Sequence, residues 1–300
     1  MLRYRLITGP VLIIALLAIV WFDDWLDTVQ LHGFWQDLFR GKDHPPRGLI
    51  LFMLALIVAP IAAFELSAIV KANNIHTRRW LTALGAVVGL VMTYAIPMDA
   101  EVVTAIAVFS TGLIGMFVLS LLTFSRQKNV QGVLAAAGGV MFAMVYLGIM
   151  LGFLLLLRRD NTAWWIVGIV LTTKACDIGA YFTGMSIGRH KLIPWLSPGK
   201  TWEGLIGGVV TSALVGLGLA ALSTVLDDPT DHIPLWVGLF CGVVFALVGQ
   251  FGDLTMSLLK RGAGIKDSSQ ILPGMGGILD VLDSPLMVAP VAFWMLTLLT

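Results

Sequence analysis

Long apolar stretches alternate with short polar segments along almost the whole chain. A helix needs roughly 20 mostly apolar residues to cross the hydrocarbon core of a bilayer. The stretches that approach this length are residues 5–26, 47–70, 80–97, 101–124, 131–157, 163–184, 204–226, 233–251 and 284–300. They are continuously apolar and lack the two-residue alternation of a transmembrane β-barrel. The pattern therefore predicts an all-α, polytopic integral membrane protein with about nine transmembrane helices.

The composition indicates the same fold class. Hydrophobic residues make up 58% of the 300 residues and charged residues 12%, and the mean hydropathy is +0.90. A soluble domain has about 25% charged residues, so a water-soluble globule is excluded, and a disordered chain would be poor in hydrophobic residues. The net charge of +1 creates no basic field, so no nucleic-acid partner is expected. Cys176 and Cys241 lie within apolar stretches and are predicted to be small buried hydrophobes.

The distribution of basic residues predicts the orientation in the membrane. With nine spans and a cytoplasmic N-terminus, most of the 19 Lys and Arg residues fall in cytoplasmic segments, as the positive-inside rule requires. The acidic residues around Asp99 and Asp227 then lie on the opposite side. Loops before residue 160 show little chemistry, whereas later cytoplasmic segments are rich in Asp, Lys, Gly and Ser. We therefore divide the chain into transmembrane scaffold helices, residues 1–160, and a transmembrane region with a cytoplasmic-face active site, residues 161–300.

The densest polar segment, residues 249–285, predicts a phosphate and metal site. Asp253 is expected to end a span, and Asp280 and Asp283 are three residues apart, which places them on one helix face. Mg²⁺ binds carboxylate oxygens together with substrate phosphates, Lys and Arg bind phosphate, and glycine turns let backbone N–H groups approach anions. The other candidate residues here are Lys260, Arg261, Lys266, Asp267, Gly276 and Gly277. The alternative is a basic loop that anchors a span to anionic lipid headgroups.

A second polar segment, residues 177–208, is predicted to be a loop that leads into the next helix. Its candidate residues are Ser197, Lys200, Thr201 and Glu203. A Ser or Thr could cap that helix, and Lys200 could bind an anion together with the helix N-terminus. Asp177 lies inside a span, and either forms a neutralising pair with Lys174 or has a functional role. Glu65, in the second span, likewise has two interpretations: it is either a packed polar residue or a functional one.

Three linked motifs resemble the phosphatidate cytidylyltransferase family, also called CDP-diacylglycerol synthases. They are DxGAYFxG from Asp177, SPxKTWEGxxGG from Ser197 and SLLKRxxxxKDxxxxLPGxGGxLDxLDS from Ser257. The resemblance implies transfer of a cytidylyl group from CTP to phosphatidic acid, which gives CDP-diacylglycerol and pyrophosphate. It also implies Mg²⁺ as cofactor and a site where CTP arrives from water and the lipid from the bilayer.

The resemblance assigns roles to the candidate residues. Asp253 and Asp280 would bind the metal. The residues expected to act in catalysis are Asp253, Asp280, Asp283, Lys260 and Lys266. The residues expected to bind substrate are Asp177, Ser197, Lys200, Thr201, Glu203, Arg261, Asp267, Gly276 and Gly277.

Two positions depart from the family pattern, which reads PGHGG followed by DRxD. Met275 replaces the His and Val281 replaces the Arg. Met has no proton to donate, and Val lacks the bidentate phosphate donor of Arg. A divergent or inactive relative that acts on another lipid acceptor is therefore an alternative. Another is a membrane transporter, in which Lys174, Asp177 and Glu65 would line a pathway. The expected location is a bacterial inner membrane, and the Gly/Ala-rich helices would permit a homodimer.

Overall fold

Helices make up nearly all of the regular structure. The computed structural model describes residues 2–39, 41–97, 100–125, 131–226 and 232–300, so that Asp99 and Asp227 lie outside the described residues. The helices in chain order are α1 (Leu2–Leu26), α2 (Phe34–Leu38), α3 (Leu49–Ala72), α4 (Arg79–Ala95), α5 (Val102–Ser125), α6 (Val133–Ala143), α7 (Met150–Asp160), α8 (Trp164–Ile187), α9 (Trp202–Leu226), α10 (Leu235–Gly262) and α11 (Ile278–Leu299). A π-helical turn, Met144–Ile149, joins α6 to α7 without a break.

The all-α, polytopic membrane class is confirmed. Within the described residues, eight helices are long and apolar enough to cross a membrane, with α6 and α7 counted as one. The predicted span 80–97 corresponds to α4, a shorter apolar helix of 17 residues. The count of nine spans and the side of the N-terminus stay predictions. An antiparallel hairpin of β1 (Lys191–Ile193) and β2 (Ser197–Thr201) forms part of the segment predicted to be a loop.

Two helix boundaries differ from the prediction, and both matter for the site. The expectation that a span ends at Asp253 is wrong, because α10 continues to Gly262. Lys260 and Arg261 therefore lie in the last turn of a helix and not in a loop. The last helix begins at Ile278 rather than at residue 284, so its first turn includes Asp280. Hydrophobicity marks the part of a helix that can lie in the bilayer, and polar residues can extend the helix beyond it.

Small residues let α10 pack closely against α11, and α9 against α8. A β-carbon on Gly208 of α9 would lie 2.7 Å from the carbonyl oxygen of Cys176 of α8. A β-carbon on Gly252 of α10 would likewise lie 2.7 Å from the carbonyl oxygen of Asp283 of α11. Such close backbone contact through small residues is common between transmembrane helices. Because Asp253 follows Gly252, this contact brings two of the predicted carboxylates to neighbouring positions.

A buried arginine joins three helices at the end of the bundle where α8 begins. Arg158, in α7, has a fully buried side chain, and its Nε lies 2.6 Å from Oδ2 of Asp23 in α1. Its Nη2 donates to Asp27 at 2.9 Å. The other Asp23 oxygen accepts the backbone N–H groups of Ile50 and Leu51 at the start of α3. The segment predicted to be transmembrane scaffold, residues 1–160, therefore contains a structural ion-pair network between its helices.

Removing Arg158 is expected to destabilise the protein. Arg158→Met would leave Asp23 buried without its cation, and removal of one partner of a buried ion pair costs about 3–5 kcal/mol. Thermal unfolding of the detergent-purified protein measures the change. Arg47→Met is the matched control, because Arg47 is half exposed and lies 3.6 Å from Asp27, so its loss should cost less than about 1 kcal/mol. Equal unfolding temperatures for the two variants would contradict this role for Arg158.

Candidate active site

Three helices bring carboxylates together at the end of the bundle where α8 ends. A β-carbon on Gly249 of α10 would lie 2.8 Å from Cγ2 of Thr173 in α8 and 3.6 Å from Cβ of Ser284 in α11. The three helices therefore meet at Gly249. The carboxylates that they carry are Asp177 of α8, Asp253 of α10, and Asp280 and Asp283 of α11.

Lys174 connects two of these carboxylates. Its Nζ lies 3.3 Å from Oδ2 of Asp177 and 4.0 Å from Oδ1 of Asp283. Asp283 is only 3% exposed, and the same Oδ1 accepts the backbone N–H of Ser284 at 2.6 Å. The neutralising pair of Lys174 with Asp177, one of the two readings open from the sequence, is thus present. It leaves a functional role for Asp177 open, because Asp177 also faces the cleft described below.

The other two carboxylates each pair with a lysine of their own. Nζ of Lys260, in the last turn of α10, lies 2.7 Å from Oδ1 of Asp280. Lys200 of β2 forms an ion pair with Asp253. The hairpin therefore contributes a cation to the α10 carboxylate. Two predicted segments that are distant in sequence meet in this pair.

Asp280 also holds the loop in front of α11. Its Oδ2 accepts the backbone N–H of Gly277 at 2.8 Å and that of Ser268 at 2.8 Å, and it lies 3.0 Å from Oγ of Ser268. A carboxylate that accepts the N–H of the residue before a helix forms half of a capping box. With Lys260 on Oδ1, both oxygens of Asp280 therefore accept hydrogen bonds from the protein.

Glu65 reaches the same loop from α3. Its Oε1 accepts hydrogen bonds from Oγ of Ser269 at 2.6 Å and from the N–H of Ile278 at 3.1 Å. Its Oε2 accepts hydrogen bonds from Oγ of Ser268 and from the N–H of Leu279, both at 2.9 Å. A carboxylate at a helix N-terminus satisfies N–H groups that have no partner within the helix. Glu65 is therefore a structural anchor of α11, and its signal in the sequence is a carboxylate inside an apolar span.

The glycine-rich turn between Glu65 and the start of α11 is folded back on itself. Leu272 and Gly276 form an isolated antiparallel bridge, and the N–H of Gly276 donates to the Leu272 carbonyl at 3.1 Å. Gly276 has a φ of +96°, which favours glycine. The N–H of Gly277 donates to Asp280. In this structure the N–H groups of both predicted substrate-binding glycines thus have partners within the turn and the helix cap.

The hairpin residues are arranged around the start of α9. Oγ1 of Thr201 accepts the N–H of Gly204 at 3.1 Å and caps this helix as the sequence predicts. Oε1 of Glu203 lies 2.6 Å from Nδ1 of His190, so Glu203 holds the first strand of the hairpin. Ser197 begins β2 and is half buried. The hairpin is therefore fixed at both of its ends, which positions Lys200 between them.

A cleft of about 400 Å³ lies beside the hairpin and reaches α10. Its polar lining consists of Asp177, Lys200, Thr201 and Gln250. The larger apolar side chains on its walls are Tyr181, Met185, Leu192 and Leu205. The cleft is therefore large enough for part of a small-molecule or lipid substrate, and it has a cation next to Asp253. Gln250 was not predicted from the sequence, because it is an isolated amide in an apolar stretch and belongs to no recognisable motif.

The three remaining predicted residues lie at the surface. Arg261, Lys266 and Asp267 are exposed, and none of them forms an ion pair within the described residues. Two exposed cations of this kind can bind phosphate oxygens that arrive from water. The structure does not place them in contact with the buried carboxylates.

The donor set suits a hard divalent cation. Carboxylate oxygens are the ligands that Mg²⁺ prefers, and Mg²⁺ commonly takes only one or two of them from the protein. Asp253 and Asp283 lie at neighbouring positions, because Gly252 of α10 packs against the Asp283 carbonyl of α11. No described residue donates a hydrogen bond to Oδ2 of Asp283, whereas both oxygens of Asp280 are in use. In the part of the chain that the structure describes, no three His, Cys, Asp or Glu side chains are arranged so that they could together hold a metal ion.

Replacement of Glu65 is expected to loosen the start of α11. Glu65→Gln keeps the shape of the side chain but turns one acceptor towards neighbouring donors as an N–H₂ group. Loss of each hydrogen bond to a charged group should lower the free energy of unfolding by about 1.5–3 kcal/mol. Thermal unfolding and amide hydrogen exchange of residues 268–280 measure the effect, with Glu101→Gln, an exposed carboxylate in front of α5, as the control. Unchanged exchange in this segment would contradict the anchoring role.

Comparisons with known proteins agree on one family. The chain matches the profile of the "Cytidylyltransferase family" over residues 45–299. It is 36% identical over 246 residues to a protein of Staphylococcus epidermidis named phosphatidate cytidylyltransferase. The matched region covers 81% of this chain and 88% of that protein. Proteins of the same name from Staphylococcus saprophyticus and Staphylococcus aureus are 35% identical, with the same coverage.

Proposed function

Because the chain belongs to the cytidylyltransferase family, we propose that it transfers CMP from CTP to phosphatidic acid and releases CDP-diacylglycerol and pyrophosphate. It is a CTP-dependent nucleotidyltransferase of phospholipid biosynthesis and an integral membrane protein. The observation that carries this assignment is the family match over residues 45–299, which includes every lysine–carboxylate pair of the site. This match does not favour the transporter or the inactive relative.

The reaction needs no nucleophilic side chain. An oxygen of the lipid phosphate attacks the α-phosphorus of CTP in line, and the bond to the pyrophosphate oxygen breaks on the opposite side. The tasks left to the protein are to align two anions that repel each other and to stabilise the charge that develops on the pyrophosphate. A site built from lysines, carboxylates and a cleft next to apolar helices fits these tasks.

The lysines supply the positive charge. Lys200 and Lys260 neutralise Asp253 and Asp280 in the substrate-free protein. We propose that these ammonium groups move to phosphate oxygens when substrate binds, because a lysine is a flexible point charge that can change partners. The exposed Arg261 and Lys266 are placed to receive the triphosphate from water. This exchange would couple substrate binding to the release of the carboxylates.

Mg²⁺ is the proposed cofactor. Asp253 together with a carboxylate of α11 would hold the ion. The sequence motif assigns that second position to Asp280, and the free Oδ2 of Asp283 makes Asp283 a further candidate. A bound Mg²⁺ would polarise phosphoryl oxygens and neutralise charge on the leaving pyrophosphate. Asp280 would first have to release Lys260 from Oδ1, while its Oδ2 keeps the hydrogen bonds from Ser268 and Gly277, whereas Oδ2 of Asp283 accepts none from the described residues.

The proposed location is a bacterial plasma membrane, with the site on its cytoplasmic face. The named relatives are bacterial, and CTP is a cytoplasmic metabolite. The site end of the bundle also carries most of the predicted cytoplasmic cations, in agreement with the positive-inside rule. A homodimer remains a proposal that rests on the small-residue helix faces alone.

The two departures from the family pattern lie at positions that the fold tolerates. Met275 occupies the glycine-rich turn, where its backbone N–H donates to the Leu272 carbonyl and no side-chain group is needed for the turn. Val281 follows Asp280 on α11 and is half buried. We propose that Lys260 and the exposed cations at the site supply the phosphate contacts that Val281 cannot make.

The purified protein in detergent is expected to convert CTP and phosphatidic acid to CDP-diacylglycerol when Mg²⁺ is present. Product formation, followed with labelled CTP, should stop when the metal is chelated. Asp253→Asn should abolish turnover, because it removes a carboxylate charge and the partner of Lys200. Lys42→Gln, on an exposed loop near the other end of the bundle, is the control and should turn over at the parent rate. A folded parent without product would contradict the assignment, and Met275→His with Val281→Arg would then test whether the departures abolish activity.

Comparison of the two α11 carboxylates is expected to separate their roles. Asp283→Asn should raise the Mg²⁺ concentration for half-maximal activity by about tenfold or more, which corresponds to about 1.4 kcal/mol of binding. Asp280→Asn should mainly lower the unfolding temperature, because it weakens the cap of α11. A Mg²⁺ titration and a thermal unfolding curve for each variant measure the two effects. The reverse pattern would assign the metal to Asp280, as the sequence motif does.

A further inference from the structure

Gln250 is a buried polar residue to which the reaction as described gives no role. It lies on α10, one helical turn before Asp253 and on the same face of the helix. The residue is only 7% exposed, and its Nε2 is the one buried side-chain nitrogen or oxygen within the described residues that has no hydrogen-bond partner. Buried polar groups in native proteins are nearly always hydrogen-bonded, so an unpaired one indicates a missing partner.

The cleft beside the hairpin includes Gln250 in its lining, together with Lys200 and Asp177. The charge of Asp177 is offset by Lys174 at 3.3 Å, so the cleft does not repel an anion strongly. Lys200 places a cation on the same lining, next to Asp253. A ligand in the cleft would therefore meet an amide donor and an ammonium group close to the carboxylate at which the reaction is proposed.

We propose that the carboxamide of Gln250 donates a hydrogen bond to a phosphate oxygen of a substrate bound in this cleft. The inference rests on the proposed cytidylyl transfer and adds a substrate-binding residue to it. Ionised phosphate oxygens accept hydrogen bonds and cannot donate them, so they match the unpaired N–H₂ group beside a lysine. Both substrates carry such oxygens, CTP in its triphosphate and phosphatidic acid in its headgroup.

Gln250→Met tests the contact, because methionine has nearly the same length and volume and no amide. Without substrate, removal of an unpaired buried donor should leave the unfolding temperature unchanged or raise it. With substrate, loss of a hydrogen bond to a charged group should raise one KM by about tenfold or more. An increase in the KM for phosphatidic acid in mixed micelles would identify the lipid phosphate as the partner of Gln250. An increase in the KM for CTP would identify the triphosphate instead.

Gln250→Glu tests the chemistry of the partner. Glutamate keeps the shape of the side chain but only accepts hydrogen bonds when it is ionised. Beside a phosphate, an ionised glutamate should therefore raise the KM for the same substrate more than methionine does. If the KM values for Gln250→Glu are no higher than those for Gln250→Met, the partner of Gln250 is not a phosphate oxygen. Leu247→Met, on the exposed side of the same helix, is the matched control and should behave as the parent.

The outcomes separate this inference from the proposed function. An active parent whose KM values and kcat are unchanged by Gln250→Met would overturn the role of Gln250 and leave cytidylyl transfer intact. Loss of the folded state in Gln250→Met would also overturn it, because the amide would then be needed within the fold. A folded parent that makes no CDP-diacylglycerol would count against the proposed function, and the inference would fail with it.

Discussion

A carboxylate inside an apolar helix bundle is stable only when a cation or several hydrogen-bond donors replace the water that it has lost. This constraint determines much of the structure of the protein. Glu65 satisfies it with four donors and in doing so fixes where α11 begins. Asp280 satisfies it with Lys260 and with the N–H groups of the loop before α11. The first turn of α11, which carries Asp280, is therefore held in place by the hydrogen bonds that Glu65 and Asp280 accept.

The two ends of the bundle use this constraint in different ways. Arg158 and Asp23 are fully buried and multiply bonded, and nothing in that arrangement can exchange with a substrate. At the site end, the side chains of Lys200 and Asp253 are 24% and 30% exposed, and Lys200 lines the cleft. Exposed ion pairs contribute little to stability, so they can be exchanged for phosphate contacts at small cost. The buried network maintains the fold, and the accessible pairs are available for chemistry.

Gln250 shows the opposite relation between stability and function. A buried amide without a partner destabilises the substrate-free protein, and such groups persist where they serve binding or catalysis. The close contacts of Gly249 and Gly252 with α8 and α11 have a similar consequence, because they leave α10 no room for larger side chains at this level. The residues of α10 near Asp253 thus reflect two requirements, close helix packing at Gly249 and Gly252 and the proposed substrate contact of Gln250.

The sequence alone determined the membrane class and the order of the helices, and it predicted most of the charged residues that the structure brings together at the candidate site, because hydrophobic length and local motifs are properties of short segments. It did not determine where α10 ends, since hydropathy locates the bilayer and not the helix terminus. Only the tertiary structure decided that Glu65 caps α11, that Lys200 pairs with Asp253 and that Arg158 pairs with Asp23, which lies 135 residues away. Those contacts join helices that are far apart in the chain, and no pattern within one segment specifies which buried charge will find which partner.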